Sequence, residues 1–264
     1  MKVGDLEIVP LQDGTGREPA RESLTKPGEA DPWACHEHLL DNDGNLPLAI
    51  GGFLLRTGDR TVIIDAGVGT IDNGKYQGGL LLDSLARAGA TPEEVTDVAF
   101  THLHFDHVGW ATQKGRVVFP NATYHVHGAD WYHFLDGPEA NPGAVRKLGP
   151  LSEHWSLFTD DTTLAPGLDT RHTPGHTPGS TVYVVSSQGQ RALILGDVAH
   201  SVVELTEPDW EAVFDVDPAA AKAVRARLVD ELTDYPDALV GAHFPDLRFG
   251  RLMTIAGDRR FVQI

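Results

Sequence analysis

Four side chains able to hold a cation, His102, His104, Asp106 and His107, fall within six positions, directly after the apolar run Val98-Ala99-Phe100. A lone histidine is usually a core or surface residue, but four donors at this spacing exceed what packing or solvation requires. If extended geometry persists briefly past the apolar run, His102 and His104 point to the same side. The turn that follows then swings Asp106 and His107 toward a second, neighbouring point, so one segment can serve two ions. Imidazole and carboxylate suit Zn²⁺, Mn²⁺, Fe²⁺ or Co²⁺. Cys35 is the only cysteine, which excludes an intramolecular disulfide and a thiolate cluster. Two ions about 3.5–4 Å apart would lower the pKa of a shared water and polarise the bond being broken. Such hydrolysis needs no side-chain nucleophile.

The run His102-Leu103-His104-Phe105-Asp106-His107 resembles the His-x-His-x-Asp-His signature of the metallo-β-lactamase superfamily. Three later segments fall in that family's order: Gly175-His176-Thr177-Pro178-Gly179, Gly196-Asp197 and Ala242-His243-Phe244. Ile64-Asp65-Ala66-Gly67 resembles its early Asp-x-Gly turn, so the likeness runs from about Phe53 to His243. The resemblance implies a four-layer αββα sandwich, two mixed sheets flanked by helices, with ligands on loops at one edge. It implies that His102, His104 and His176 hold one ion, that Asp106, His107 and His243 hold the other, and that Asp197 bridges them. Two divalent ions, zinc by preference, and a metal-bridging hydroxide as nucleophile follow from the same resemblance. Asp65 would orient a ligand, since metal-bound imidazoles usually donate their second N–H to a carboxylate or carbonyl.

Within the superfamily the sequence is similar to the N-acyl homoserine lactonases and the organophosphate-hydrolase-like proteins. The lactonases carry a Tyr three residues after the bridging Asp, where this chain has His200. A histidine there can still donate a hydrogen bond or a proton, so Asp106 and His200 are the expected catalytic side chains. Hydrolysis of a small, largely apolar ester or lactone is the expected reaction. Flavodiiron oxidoreductases carry Glu at the position of His104, and the 21 residues after His243 are too few for a flavin or glutathione-binding domain. The alternatives are a single-iron enzyme like the persulfide dioxygenases, or phosphotriester or β-lactam hydrolysis; a sensing module without activity is the weakest.

The elements that must position these residues alternate between strand and helix patterns, an α/β arrangement. Strands are expected at Leu6–Leu11, Phe53–Arg56, Thr61–Ile64, Thr123–Val126, Val182–Val185, Ala192–Leu195 and Ala238–Val240. The Gly58-Asp59 pair predicts a hairpin turn between the second and third. Helices are expected at Leu81–Leu85, stopped by Gly89, at Ala129–Leu135, at Arg146–Phe158, and from Asp217-Pro218 through an apolar stripe of Ala221, Val224, Leu228 and Leu232. Thr91-Pro92-Glu93-Glu94 predicts a capped turn.

Residues 13–48, rich in Gly, Pro and Asp, read as a pocket-covering loop. Trp33 in that loop and Trp110, three residues past the histidine motif, are candidate pocket residues; Trp131, Trp155 and Trp210 read as packing. His172 cannot form a helical pair with His176 across the prolines. Cys35-His36-Glu37-His38 reads as solvated loop, and His125, His127, His133 and His154 as structural or surface residues.

The chain of 264 residues, 41% hydrophobic, reads as one domain over 1–264. Its 21 basic against 38 acidic residues give a net charge of −17. That field repels phosphate backbones and anionic membranes, so neither nucleic acid nor membrane is an expected partner. Charges in Met1–Glu7, and no run of 18 apolar residues, point to a cytoplasmic protein acting on a small molecule; a homodimer is left open.

Overall fold

The computed structural model describes residues 1–138 and 140–264. Two mixed sheets dominate it. In the first, strands Lys2–Val3, Leu6–Pro19, Asn45–Thr57, Arg60–Ile64, Asp97–Ala99, Thr123–His127 and Trp155–Phe158 lie side by side in chain order, and Tyr76–Gln77 adds to the second of them. The second sheet runs Thr163–Ala165, Leu168–His172, Thr181–Ser187, Gln190–Ile194, Ala238–Val240, Gly250–Ile255 and Asp258–Gln263. The centre of the first sheet is parallel, with Ile63 opposite Val98 and Val98 opposite Tyr124. Strands 190–194 and 238–240 are the parallel pair of the second.

Side-chain alternation explains the layering. On strands 45–57 and 60–64, Phe53, Leu55, Val62 and Ile64 pack between the sheets against Tyr183, Leu193 and Val240. Leu54 and Ile63 point to the other face, where they meet Leu81, Leu85 and Phe134 of the helical layer. Helix Pro218–Leu232 packs on the second sheet, and its Val224, Leu228 and Leu232 belong to the same contiguous apolar cluster. Asp217 caps this helix by accepting the Ala220 N–H at 3.0 Å. The fold is the expected sandwich of two mixed sheets with flanking helices.

Two expectations are corrected. Residues 146–158 do not form one helix: it spans Pro142–Leu148, gives way to a turn at Gly149–Leu151, and the chain re-enters the first sheet as strand Trp155–Phe158. Gly149-Pro150 is the reason, because proline supplies no N–H to continue the α-helical ladder and glycine is a weak helix former. Residues 13–48 are likewise not a loop throughout. Asp13–Pro19 and Asn45–Leu48 belong to two long paired strands, with Arg17 opposite Pro47. The buried Asp13 carboxylate accepts the N–H groups of Val68, Gly69, Gly79 and Leu81, fixing the start of helix Leu81–Arg87. Among the described residues no helix is long and apolar enough to cross a membrane.

Candidate metal centre

Four connections, each following a strand, meet at one edge of the sandwich. They follow strands 97–99, 168–172, 190–194 and 238–240, and they carry His102–His107, His176, Asp197 and His243. Asp65 fixes the first of them. It accepts the Thr101 N–H and hydroxyl, both at 2.8 Å, and lies 2.9 Å from His107 Nδ1. Its backbone sits at φ +58, a left-handed conformation that aspartate tolerates better than most residues. Gly196 brings the third connection close. At φ +56 it faces Thr101, whose Cβ would lie 2.7 Å from any added Cβ.

The structure brings all seven expected ligands together in two groups, His102, His104, His176 and Asp197 in one and Asp106, His107 and His243 in the other. In the first, His102 Nε2 and His176 Nε2 each lie 2.9 Å from His104 Nδ1. In the second, His243 Nε2 lies 3.6 Å from Asp106 Oδ2. Asp197 stands between them, with Oδ2 3.5 Å from His176 and 3.2 Å from His243, and Oδ1 3.4 Å from His107. Apart from His104, every one is buried.

This donor set fits divalent cations. The buried atoms His107 Nε2 and Asp197 Oδ1 have no hydrogen-bond partner, although groups this buried are nearly always satisfied. Four outward ring nitrogens, by contrast, are engaged. His102 Nδ1 meets Thr101 Oγ1 (3.1 Å), His107 Nδ1 meets Asp65, His176 Nδ1 meets Asp215 Oδ1 (3.0 Å), and His243 Nδ1 meets the Ala49 carbonyl (3.0 Å). Each such contact fixes a proton on Nδ1 and turns Nε2 inward. Burial opposes charge on His107 and His243, but Asp197 and neighbouring carboxylates hold the first well above and the second above the usual histidine range, so these two give up a proton when a cation binds. Burial, reinforced by neighbouring imidazoles, holds His102 and His104 well below the usual histidine range, so both remain neutral donors. Burial opposes the Asp197 carboxylate, but the positive charge of His243 and His107 outweighs it and holds its pKa well below the usual range.

His200 lines the same cleft, buried, with Nε2 3.5 Å from Asp197 Oδ2 and neither ring nitrogen hydrogen-bonded. Glu204 approaches its Nδ1 only to 3.7 Å and acts on the ring by charge. Burial works against the imidazolium, yet Glu204 and Asp197 push its pKa up to about 9. Glu204 also accepts the N–H groups of His200 (2.6 Å) and Ser201 (2.9 Å) and pairs with Arg225 at 2.9 Å, bracing the connection that carries Asp197.

The cleft holds about 190 Å³, and its walls include Leu48, Tyr76, Phe105 and Phe214. The Tyr76 hydroxyl donates to Glu18. Trp33 and Trp110 do not line it, contrary to the expectation from sequence. Trp33 is fully buried against Trp210 and donates to the carbonyls of Ala20 and Leu24; Trp110 is buried and donates to Asp13 at 2.7 Å. In both cases the indole N–H found a partner inside the fold, as buried tryptophans usually do. His172 stacks on His127 at 3.9 Å, away from the centre, and His36 pairs with Glu207. Sequence reasoning missed Asp215, which no motif marks, and Phe105, whose position among the ligands was the available signal.

The sequence model of the metallo-beta-lactamase superfamily matches residues 52–243. The chain belongs to this superfamily. The N-acyl homoserine lactonase AttM of Agrobacterium fabrum is 28% identical over 183 residues, 62% of this chain and 64% of the lactonase. The match therefore spans less than two thirds of that relative's length. Among solved structures, the dizinc quorum-quenching lactonase AidC, in complex with a product, superposes with a TM-score of 0.88 and 26% identity, covering 99% of this chain and 95% of AidC. The hydrolase AbOPH of the same superfamily gives 0.87 at 25% identity, covering 100% and 96%.

Proposed function

We propose that this chain is a dinuclear metal-dependent hydrolase of a small, largely apolar ester or lactone. The observation that carries the reading is the position of Asp197, whose two oxygens face ligands of both groups at the floor of an aromatic-walled cleft. Three imidazoles of one group and the Asp106, His107 and His243 set of the other would hold two divalent ions, zinc by preference. When bound, such ions supply a water of lowered pKa and positive charge facing the developing oxyanion. The likeness to lactonases supports the substrate class.

The side chains do the rest. Leu48, Phe105 and Phe214 exclude water and seat the apolar part of the substrate. His200, unpartnered and turned to the cleft, donates a hydrogen bond to the carbonyl that strengthens as charge develops, in the place where lactonases put a tyrosine. Asp106 acts as a ligand and as a fixed negative charge beside the reacting group.

Metal analysis followed by a panel of lactones, aryl esters and phosphotriesters tests this reading. About two ions per chain and turnover of the esters or lactones are expected. One iron per chain at saturation, with sulfur oxygenation in place of hydrolysis, would sink it. His200→Ala should lower kcat by roughly 10- to 1,000-fold at unchanged metal content. Unchanged kinetics in that variant would remove His200 from the mechanism.

A further inference from the structure

Beside the metal cleft, and sharing His104 and Phe105 with it, lies a larger cavity of about 570 Å³. That volume falls within the range of about 300–1,000 Å³ usual for small-molecule sites. Leu103, Val108 and Phe134 give it a buried apolar wall. The lining also carries the exposed Lys114 and Arg146 and the half-buried Lys147. In a chain of net charge −17 such a gathering is unexpected, and among the described residues none of the three forms an ion pair.

The cations stand on two elements that are fixed to each other. Thr112–Gln113 and Arg116–Val117 form a hairpin whose turn residues, Lys114 at φ +49 and Gly115 at φ +75, have the left-handed geometry that a tight hairpin turn needs. Helix 142–148 is capped by Asn141, which accepts the N–H groups of Gly143 (2.8 Å) and Ala144 (3.2 Å). The Thr112 hydroxyl donates to the Lys147 carbonyl at 2.6 Å, and the Lys147 ammonium donates back to the Thr112 carbonyl at 2.7 Å. Basic residues in a last helical turn complement the helix dipole, which accounts for Arg146 and Lys147. It does not account for Lys114, which comes from the hairpin. The two backbone elements that carry the cations are thus fixed to each other before any ligand arrives, and Lys147 keeps donors to spare.

We propose that this cavity seats the acyl portion of the substrate and selects acyl chains that end in an anionic oxygen group such as a carboxylate, held by Lys114, Arg146 and Lys147. The assignment rests on the hydrolase reading, since only His104 and Phe105 stand between this cavity and the metal cleft. A fork of guanidinium donors beside two ammonium groups recognises an oxyanion and offers nothing to a methyl terminus.

Calorimetric binding of octanedioate and of octanoate to the metal-loaded chain isolates the second carboxylate, because both ligands present the first one to the metal centre. The dicarboxylate should bind about tenfold more tightly, and the ratio should shrink with added salt. In Arg146→Glu, and in Lys114→Ala/Arg146→Ala, the ratio should fall toward one. The same ratio is then read in kcat/KM for an aryl ester of octanoate and the aryl monoester of octanedioate. Equal affinity for the two ligands, or a preference that survives charge reversal, overturns the inference. Preferential dicarboxylate binding without hydrolysis of any ester would overturn the hydrolase reading and leave the anionic subsite standing. Hydrolysis of esters with no dicarboxylate preference would do the reverse.

Discussion

The two sheets contribute to the metal centre in opposite ways. The first sheet delivers four donors from a single connection, His102 to His107, fixed as a unit by Asp65. The second delivers three donors singly, His176, Asp197 and His243, each from its own connection. A contiguous loop needs one brace, and its ligands stand or fall together. Separate connections need separate braces, and the structure provides them: Asp215 behind His176, Glu204 with Arg225 behind Asp197, and the Ala49 carbonyl behind His243. Damage on the first side should therefore be collective, and on the second side graded.

Asp197 is the exception on the second side, and replacing it should give the largest effect. It faces both groups, so Asp197→Asn removes charge from both at once and leaves an amide where a carboxylate oxygen faced His107. Metal occupancy and turnover should both fall by at least about 100-fold, measured by elemental analysis and steady-state kinetics. Near-normal activity would mean that Asp197 belongs to one group only.

The braces themselves come next. Asp65→Asn disturbs three contacts in one loop, so it should weaken metal affinity by roughly 100-fold and slow turnover at both positions. Asp215→Asn touches only His176 and should cost nearer tenfold, with the loss confined to one of two titratable ions. Competition with a metal chelator distinguishes one weakened site from two. Equal losses at both sites in the two variants would erase the contrast between the sheets.

The same contrast governs how much was legible in the sequence. The contiguous loop stood out, because four metal-binding side chains within six positions after an apolar strand serve neither a core nor an ordinary surface. Asp197 and His243 were assignable only through family likeness, since a single Gly-Asp or Ala-His says nothing until the topology brings its strand end to the same edge. Asp215 was invisible for that reason: its role depends on the path of the chain between Val203 and Asp217, which carries no periodicity. Strands whose alternate residues enter different layers, such as 53–55 and 62–64, were readable from their apolar character. The strand at 155–158 was not, because the apolar spacing of Trp155, Leu157 and Phe158 suits a helical face as well as a strand, and the helix expected there ran through the stop signal at Gly149-Pro150.

The last test sharpens the comparison most, because it concerns a buried side chain that hydrogen-bonds both halves of the centre. Asp130, fully buried, accepts the Leu103 N–H at 3.1 Å from the contiguous loop and the Gly179 N–H at 2.6 Å from the connection carrying His176. Burial raises its pKa from 3.8 to about 6, and the Gly179 and Leu103 donors only partly resist that rise. A carboxyl group whose pKa is higher folded than unfolded binds more protons in the native state, so its contribution to stability is present below about pH 4 and is lost as pH rises through about 6. Over that window the native protein should lose on the order of 3 kcal/mol relative to Asp130→Asn. The variant carries its own constant penalty of about 1–3 kcal/mol, because its amide nitrogen faces one of the two N–H groups. Denaturant unfolding of both proteins across this pH range gives the difference directly, with metal linkage common to both cancelling. A difference that instead favours the native protein more as pH rises would mean that the ionised carboxylate is the clasp between the sheets, and that its two donors outweigh its burial.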